Sequence, residues 1–169
     1  MKKKTLYLCH AAIIAAMYVV LSYVSAALGL ASNVIQCRFS EALCILPIYT
    51  PAAVPGVAIG CLIFNIMSAC AWQDVLFGTL ATLLGAVGAR LLRRVPLLAP
   101  WPTVIANTLI IPFVLIYAYG VGDAWFFLML TVGVGEIISA GIFGYILMIA
   151  VNPVRYKIFG KDTSNSKYC

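Results

Sequence analysis

Long apolar runs alternate with short basic clusters along this chain, and a bundle of membrane-spanning helices is the fold that accommodates such a pattern. The runs read as Thr5–Ala31, Glu41–Ala71, Val75–Leu92, Thr103–Gly120 and Trp125–Ala150. Of the 169 residues 64% are hydrophobic and only 9% charged, against roughly 25% charged in a soluble domain. Lys2-Lys3-Lys4 ahead of an apolar run has the outline of a signal peptide. The run from Thr5 to about Leu30 is nevertheless too long for an h-region of ~7–15 residues, so the first segment is expected to be a retained helix.

A crossing needs about 20 residues at 1.5 Å rise each. The second run, of about 31 residues, is therefore either one long helix or a tight hairpin of two, and charge separates these. With Lys2–Lys4 held inside, a single crossing by Glu41–Ala71 would leave Arg90, Arg93 and Arg94 outside, against the positive-inside bias. A hairpin breaking at Thr50-Pro51 puts them inside, together with Arg155, Lys157, Lys161 and Lys167. Ten of the eleven basic residues then become cytoplasmic, with Arg38 the exception. The expectation is an all-α membrane protein: one compact bundle of six transmembrane helices over 1–169, both termini cytoplasmic. The approximate spans are 5–31, 40–50, 52–71, 74–92, 103–120 and 125–151. The second, about a dozen residues long, is too short to face lipid along its full length.

The net charge of +6 is a topology signal rather than a nucleic-acid surface, because it sits in clusters between apolar spans. Six cysteines show no C-x-x-C spacing and read as small buried hydrophobes. The sequence holds no P-loop, no Ser/His/Asp set and no His-Glu metal motif. No enzymatic activity, cofactor or metal is expected, and any uphill transport would draw its energy from a partner. His10, the single histidine, falls near the inner membrane surface, away from the other polar residues.

Those residues gather toward the outer half of the bundle. Gln36, Arg38 and Glu41 precede or open the second span, with Arg38 and Glu41 three apart and so on neighbouring faces. Asn65 sits near the outer end of the third. Trp72, Gln73 and Asp74 form the next outer turn, and Asp123 and Trp125 the last. Glu136 is the one carboxylate deep within a span. Ionisable groups at membrane depth mark pathways or ligand sites more often than structure. An outward-opening polar pocket with aromatic rings beside it suits a flat, nitrogen-rich small molecule. The alternatives are that Arg38 and Glu41 pair with each other, that Asp74 and Asp123 cap helices, and that Trp72 and Trp125 belong to an interfacial belt. In the first span Ala11, Ala12, Ala15 and Ala16 form two overlapping small-x-x-x-small pairs, which let a second helix approach closely, inside the bundle or from another subunit. Gly56-x-x-x-Gly60 and Ala81-x-x-x-Gly85-x-x-x-Ala89 repeat the device.

Arg38-x-Ser40-Glu41-Ala42-Leu43, Leu46-Pro47 and Thr50-Pro51-Ala52-x-x-Pro55-Gly56 resemble the QueT family. So do Gly78-x-x-Ala81-Thr82-Leu83 and Gly135-Glu136-x-Ile138-Ser139, and the similarity runs from about Lys4 to Asn152. That family comprises substrate-binding S components of energy-coupling factor (ECF) transporters, associated with uptake of queuosine precursors, the 7-deazaguanine bases. The resemblance implies a transmembrane coupling (T) component and two cytoplasmic ATPase subunits as partners. It also implies a bacterial cytoplasmic membrane, and an S component that topples to carry its pocket inward. It maps the coupling contact onto Ala11, Ala12, Ala15 and Ala16. A guanine-like base presents adjacent N–H donors that a carboxylate, Glu136 or Glu41, can accept together. Asn65, Asn107 and Gln36 can read its carbonyl and ring nitrogens. Trp72, Tyr49 or Trp125 can stack on it, and Asp74 can meet an amine. The competing expectations are an S component for another vitamin or nucleobase, or a self-sufficient small carrier.

Overall fold

The structure, a computed structural model, describes residues 3–30, 37–122 and 124–159 of the chain, and all regular structure among them is helical. Helix α1 (Lys3–Ala27) is followed by a 3-10 segment (Phe39–Ile48), α2 (Ala53–Met67), α3 (Trp72–Leu91) and α4 (Trp101–Tyr119). Helix α5 (Trp125–Glu136) passes through a π-helical turn (Ile137–Ile142) into α6 (Phe143–Val151), and α7 (Arg155–Phe159) ends the described chain. Four stretches are long and apolar enough to cross a membrane: Lys4–Ala27, Trp72–Arg94, Pro96–Tyr119 and Trp125–Phe159. The 3-10 segment and α2 are apolar but shorter.

Contacts between α1 and α2 fix the direction of the chain. Tyr7 reaches the Pro51 carbonyl at 3.5 Å, Gly56 lies on Ala11 and Ile14, Gly60 on Ala15 and Tyr18, and the Tyr23 ring meets Phe64 edge-on at 5.1 Å. Both helices therefore run the same way, so the segment between them must recross the bundle. Phe39–Ile48 makes that return, and the chain breaks at residues 49–52 before α2 begins. His10 meets Phe159 at 5.6 Å, so the two described ends of the chain share one end of the bundle. Arg90 reaches the far end of the 3-10 segment at this same end, and Arg93, Arg94, Arg155 and Lys157 lie around it. Arg38 lies toward the other end.

The returning segment is unusual in two ways. Runs of 3-10 helix longer than 3–4 residues are uncommon, yet this one has 10, and every residue from Ser40 to Ile48 is buried. It touches protein on all sides rather than lipid, which fits its length. At about 2.0 Å rise per residue it covers roughly 20 Å, less than the ~30 Å hydrocarbon core. Its orphan backbone groups find partners in neighbouring helices, as buried helix ends must. At its start the Phe39 N–H donates to Ser25 Oγ (2.8 Å) and the Arg38 N–H to Ser139 Oγ (3.1 Å). At its end Arg90 Nη1 donates to the carbonyls of Pro47 (3.0 Å) and Ile48 (3.4 Å).

Small residues bring the other helices close. A Cβ at Gly85 of α3 would stand 2.5 Å from Thr103 Oγ1 of α4, and one at Gly60 would stand 2.7 Å from the Tyr18 Cβ. Ala81, Ala86 and Ala89 of α3 are fully buried. The apolar core packs around the inner half of the 3-10 segment, where Leu43, Ile45 and Leu46 meet Ile14, Val57, Ala86 and Met148. Polar residues collect at the other half.

Candidate functional site

Four elements each turn two residues, one helical turn apart, toward a single small cavity. The start of the 3-10 segment supplies Arg38 and Glu41, α3 supplies Gly78 and Thr82, α4 Asn107 and Ile111, and α5 Val132 and Glu136. The spacings are three in the 3-10 segment and four in the α-helices, as one face of each helix type requires. Space for the centre of a water-sized sphere amounts to only about 20 Å³, enough for about one water. A bicyclic base enters only if the walls move apart.

The polar groups of this wall are unequally satisfied. Glu41 is 2% exposed, and both its oxygens accept hydrogen bonds, Oε1 from the Tyr18 hydroxyl and Oε2 from Cys44 Sγ at 3.4 Å. Glu136 is also buried and its carboxyl is met by the Asn107 side chain, but its Oε2 has no partner. Arg38 is half-buried and forms no ion pair among the described residues; its backbone N–H donates to Ser139 Oγ and its carbonyl accepts from the Glu41 N–H. Buried polar atoms in native proteins are nearly always paired with protein or water, and an unpaired charge in a low-dielectric site is costly. A free carboxylate oxygen and a guanidinium without an ion pair in one enclosed space are poised for a ligand that offers both donors and an acceptor.

Local backbone aims these groups. The π-helical turn begins immediately after Glu136, and such turns recur at functional sites because they rotate the residues around them. Within it Ser139 Oγ donates to the Gly135 carbonyl (2.8 Å) while accepting from the Arg38 N–H. The π-helical turn and the 3-10 segment are thereby tied together beside Arg38 and Glu136. Behind the wall, Asp74 Oδ2 accepts from the Tyr119 hydroxyl (3.0 Å), and Asn65 Nδ2 donates to the Asp74 carbonyl (3.4 Å). Asn65 Oδ1 has no partner. Gly78 makes this wall bare backbone, since a Cβ there would stand 3.0 Å from Asp74 Oδ1 and 3.3 Å from Asn65 Nδ2.

Of the sequence-predicted residues, Arg38, Glu41, Asn107 and Glu136 meet in the cavity, and Asn65 and Asp74 stand just behind it. Tyr49 does not reach it. It lies past Pro47 at the basic end, where its hydroxyl donates to the Met148 carbonyl (3.2 Å) or Asn152 Oδ1 (2.8 Å) and its ring stacks on Phe159. Trp72 is 68% exposed and borders an outer groove between α2 and α3. Two residues before Asp74, it points about 200° around the helix from it. Trp125 packs on Phe113 and Phe126 at the start of α5. Gln36 and Asp123 lie outside the described residues. The alanine set divides: Ala11 and Ala15 are buried against Gly56 and Gly60, whereas Ala12 and Ala16 are exposed. Sequence reasoning missed Tyr18, Thr82 and Cys44, all apolar-looking or small residues inside apolar runs. Among the described residues the cysteines are free thiols, and no group of three or more metal-ligating side chains forms.

A family model described as QueT transporter matches residues 8–153, most of the chain. The chain belongs to the QueT transporter family. Its four long apolar stretches fit a multi-pass membrane protein, and of the motif residues that carried the resemblance Arg38, Glu41, Gly78, Thr82 and Glu136 line the cavity described above. A protein named queuosine precursor transporter QueT, from Lactococcus lactis subsp. cremoris (strain MG1363), is 37% identical over 82 residues. That match spans about half of each protein, 48% of this chain and 48% of the relative. No solved structure matches the chain.

Proposed function

We propose that this QueT-family chain is the substrate-binding S component of an ECF-type importer, and that the cavity takes a queuosine precursor, a 7-deazaguanine base. The observation that carries this reading is the unpartnered Glu136 Oε2 in the same enclosed space as Arg38. A 2-amino-4-oxo pyrimidine edge offers adjacent N–H donors to one carboxylate in charge-assisted bonds, and its carbonyl accepts from a guanidinium. Thr82 and Asn107 supply further donors and acceptors, and Ile111 and Val132 supply apolar walls for the ring faces. Without an ion pair to break, Arg38 and Glu136 exchange water for ligand at little cost.

The basic end of the bundle faces the cytoplasm of a bacterial cell, by the positive-inside bias, which places both termini inside and the cavity in the outer half. A transmembrane coupling component and two cytoplasmic ATPases supply the energy, and the subunit topples to bring its pocket to the inner side. The test is uptake. Cells lacking this chain lose import of the labelled base, and the tagged chain brings down a coupling component and ATPases. Accumulation of the base by the chain alone in sealed vesicles would instead make it a self-sufficient carrier.

A further inference from the structure

We infer that Tyr18 on α1 is a positioning residue that assigns different tasks to the two cavity carboxylates, holding Glu41 in the wall and leaving Glu136 to meet the ligand. The inference rests on the proposed reading of the cavity as the ligand site. Tyr18 has no exposed surface, and its hydroxyl donates to Glu41 Oε1 while Cys44 covers Oε2. Glu136 Oε2, across the same space, accepts nothing. Two carboxylates facing one guanidinium in an enclosed site repel each other unless one is held by its own donors. The phenol and the thiol cover both oxygens of Glu41, whereas the Asn107 side chain reaches the Glu136 carboxyl and still leaves its Oε2 open.

The reach of Tyr18 is set by the helix pair it belongs to. Gly60 lets α1 lie flush on α2, since a Cβ there would stand 2.7 Å from the Tyr18 Cβ and 2.8 Å from the Ala15 carbonyl oxygen. From that position the ring passes α2 and ends on the 3-10 segment. About two turns further along α1, Ser25 Oγ accepts the Phe39 N–H. Helix α1 thus grips the segment at two points around Arg38 and is part of the site, although none of its residues lines the cavity.

The test is binding of a 7-deazaguanine base to the full chain in detergent, for wild type, Tyr18→Phe, Glu41→Gln and the double variant. Phenylalanine fills the same space and donates nothing. Affinity is expected to fall about tenfold or more in Tyr18→Phe, and this loss is expected to vanish in the Glu41→Gln background, as for residues that act as a pair. The ligand-induced infrared difference spectrum adds a readout that a packing role would not move. In wild type it carries one carboxylate change, removed by Glu136→Gln; in Tyr18→Phe a second appears, removed by Glu41→Gln. Wild-type affinity and spectrum in Tyr18→Phe, or an equal loss with Glu41→Gln already present, would overturn the inference. Should Tyr18→Phe not fold, Glu136→Gln must still weaken binding more than Glu41→Gln, and the reverse order overturns it. Failure of the wild type itself to bind would overturn the underlying reading of the cavity instead.

Discussion

Charge stands out in an apolar chain, and this is why Arg38, Glu41 and Glu136 were legible from sequence while the groups that organise them were not. A tyrosine at position 18 in an apolar run looks like any interfacial ring. Only its burial and its bond to Glu41 give it a role. Tyr49 and Trp72 lie away from the cavity for the converse reason, since aromatic character says nothing about depth or azimuth. At Glu136 the account gives a magnitude. Glu136→Gln should weaken binding of the base by about 1–3 kcal/mol, measured by titration calorimetry; unchanged affinity would remove Glu136 from the site. Cys70, in the turn between α2 and α3, gives a pH-dependent prediction. Burial, and after it the Asp74 carboxylate, pushes its thiol above the usual cysteine range. Less of it is thiolate at a given pH, so maleimide labelling of Cys70 should be slow near neutrality and rise with pH. Asp74→Asn should shift that rise to lower pH, and an unmoved profile would show that the Asp74 charge does not act on the thiol.

Among the elements, the hairpin in the second apolar run followed from parity of charge, because the arginines after α3 had to share a side with the N-terminus. Its form did not follow. Pro47 and the buried Ser40–Ile48 stretch are compatible with several tight helices, and tertiary partners on α1, α3 and the π-helical turn decide for the 3-10 form. The π-helical turn is equally silent in sequence, since Ile-Ile-Ser-Ala-Gly-Ile reads the same in an α-helix. Helix α1 separates what the alanine pattern had merged. Ala11 and Ala15 serve the α2 contact and Ala12 and Ala16 face outward. Ala12→Leu with Ala16→Leu should therefore leave base binding by the isolated chain near wild type while lowering uptake and co-purification of the coupling component. Ala15→Leu should instead lower the thermal unfolding midpoint, because overpacking a tight contact costs about 1–3 kcal/mol. Equal effects of both changes on stability and uptake would contradict this division.

At the scale of the whole molecule, polar and apolar halves are stacked along one bundle. The core around Leu43 and Met148 fills one half and the cavity the other. The orientation proposed for this bundle is open to direct test in a chain with Cys9, Cys70 and Cys169 replaced by serine. A cysteine at the exposed Gly122 should react with impermeant maleimide in intact cells, and one at the exposed Leu97 only after lysis. The opposite pattern would invert the topology. Most direct of all is binding of queuine and its 7-deazaguanine precursors to the detergent-purified chain, with thiamin, riboflavin and biotin alongside. The account predicts selective binding of a 7-deazaguanine base by the chain alone. Preference for one of the vitamins, or no binding by folded protein, would contradict it.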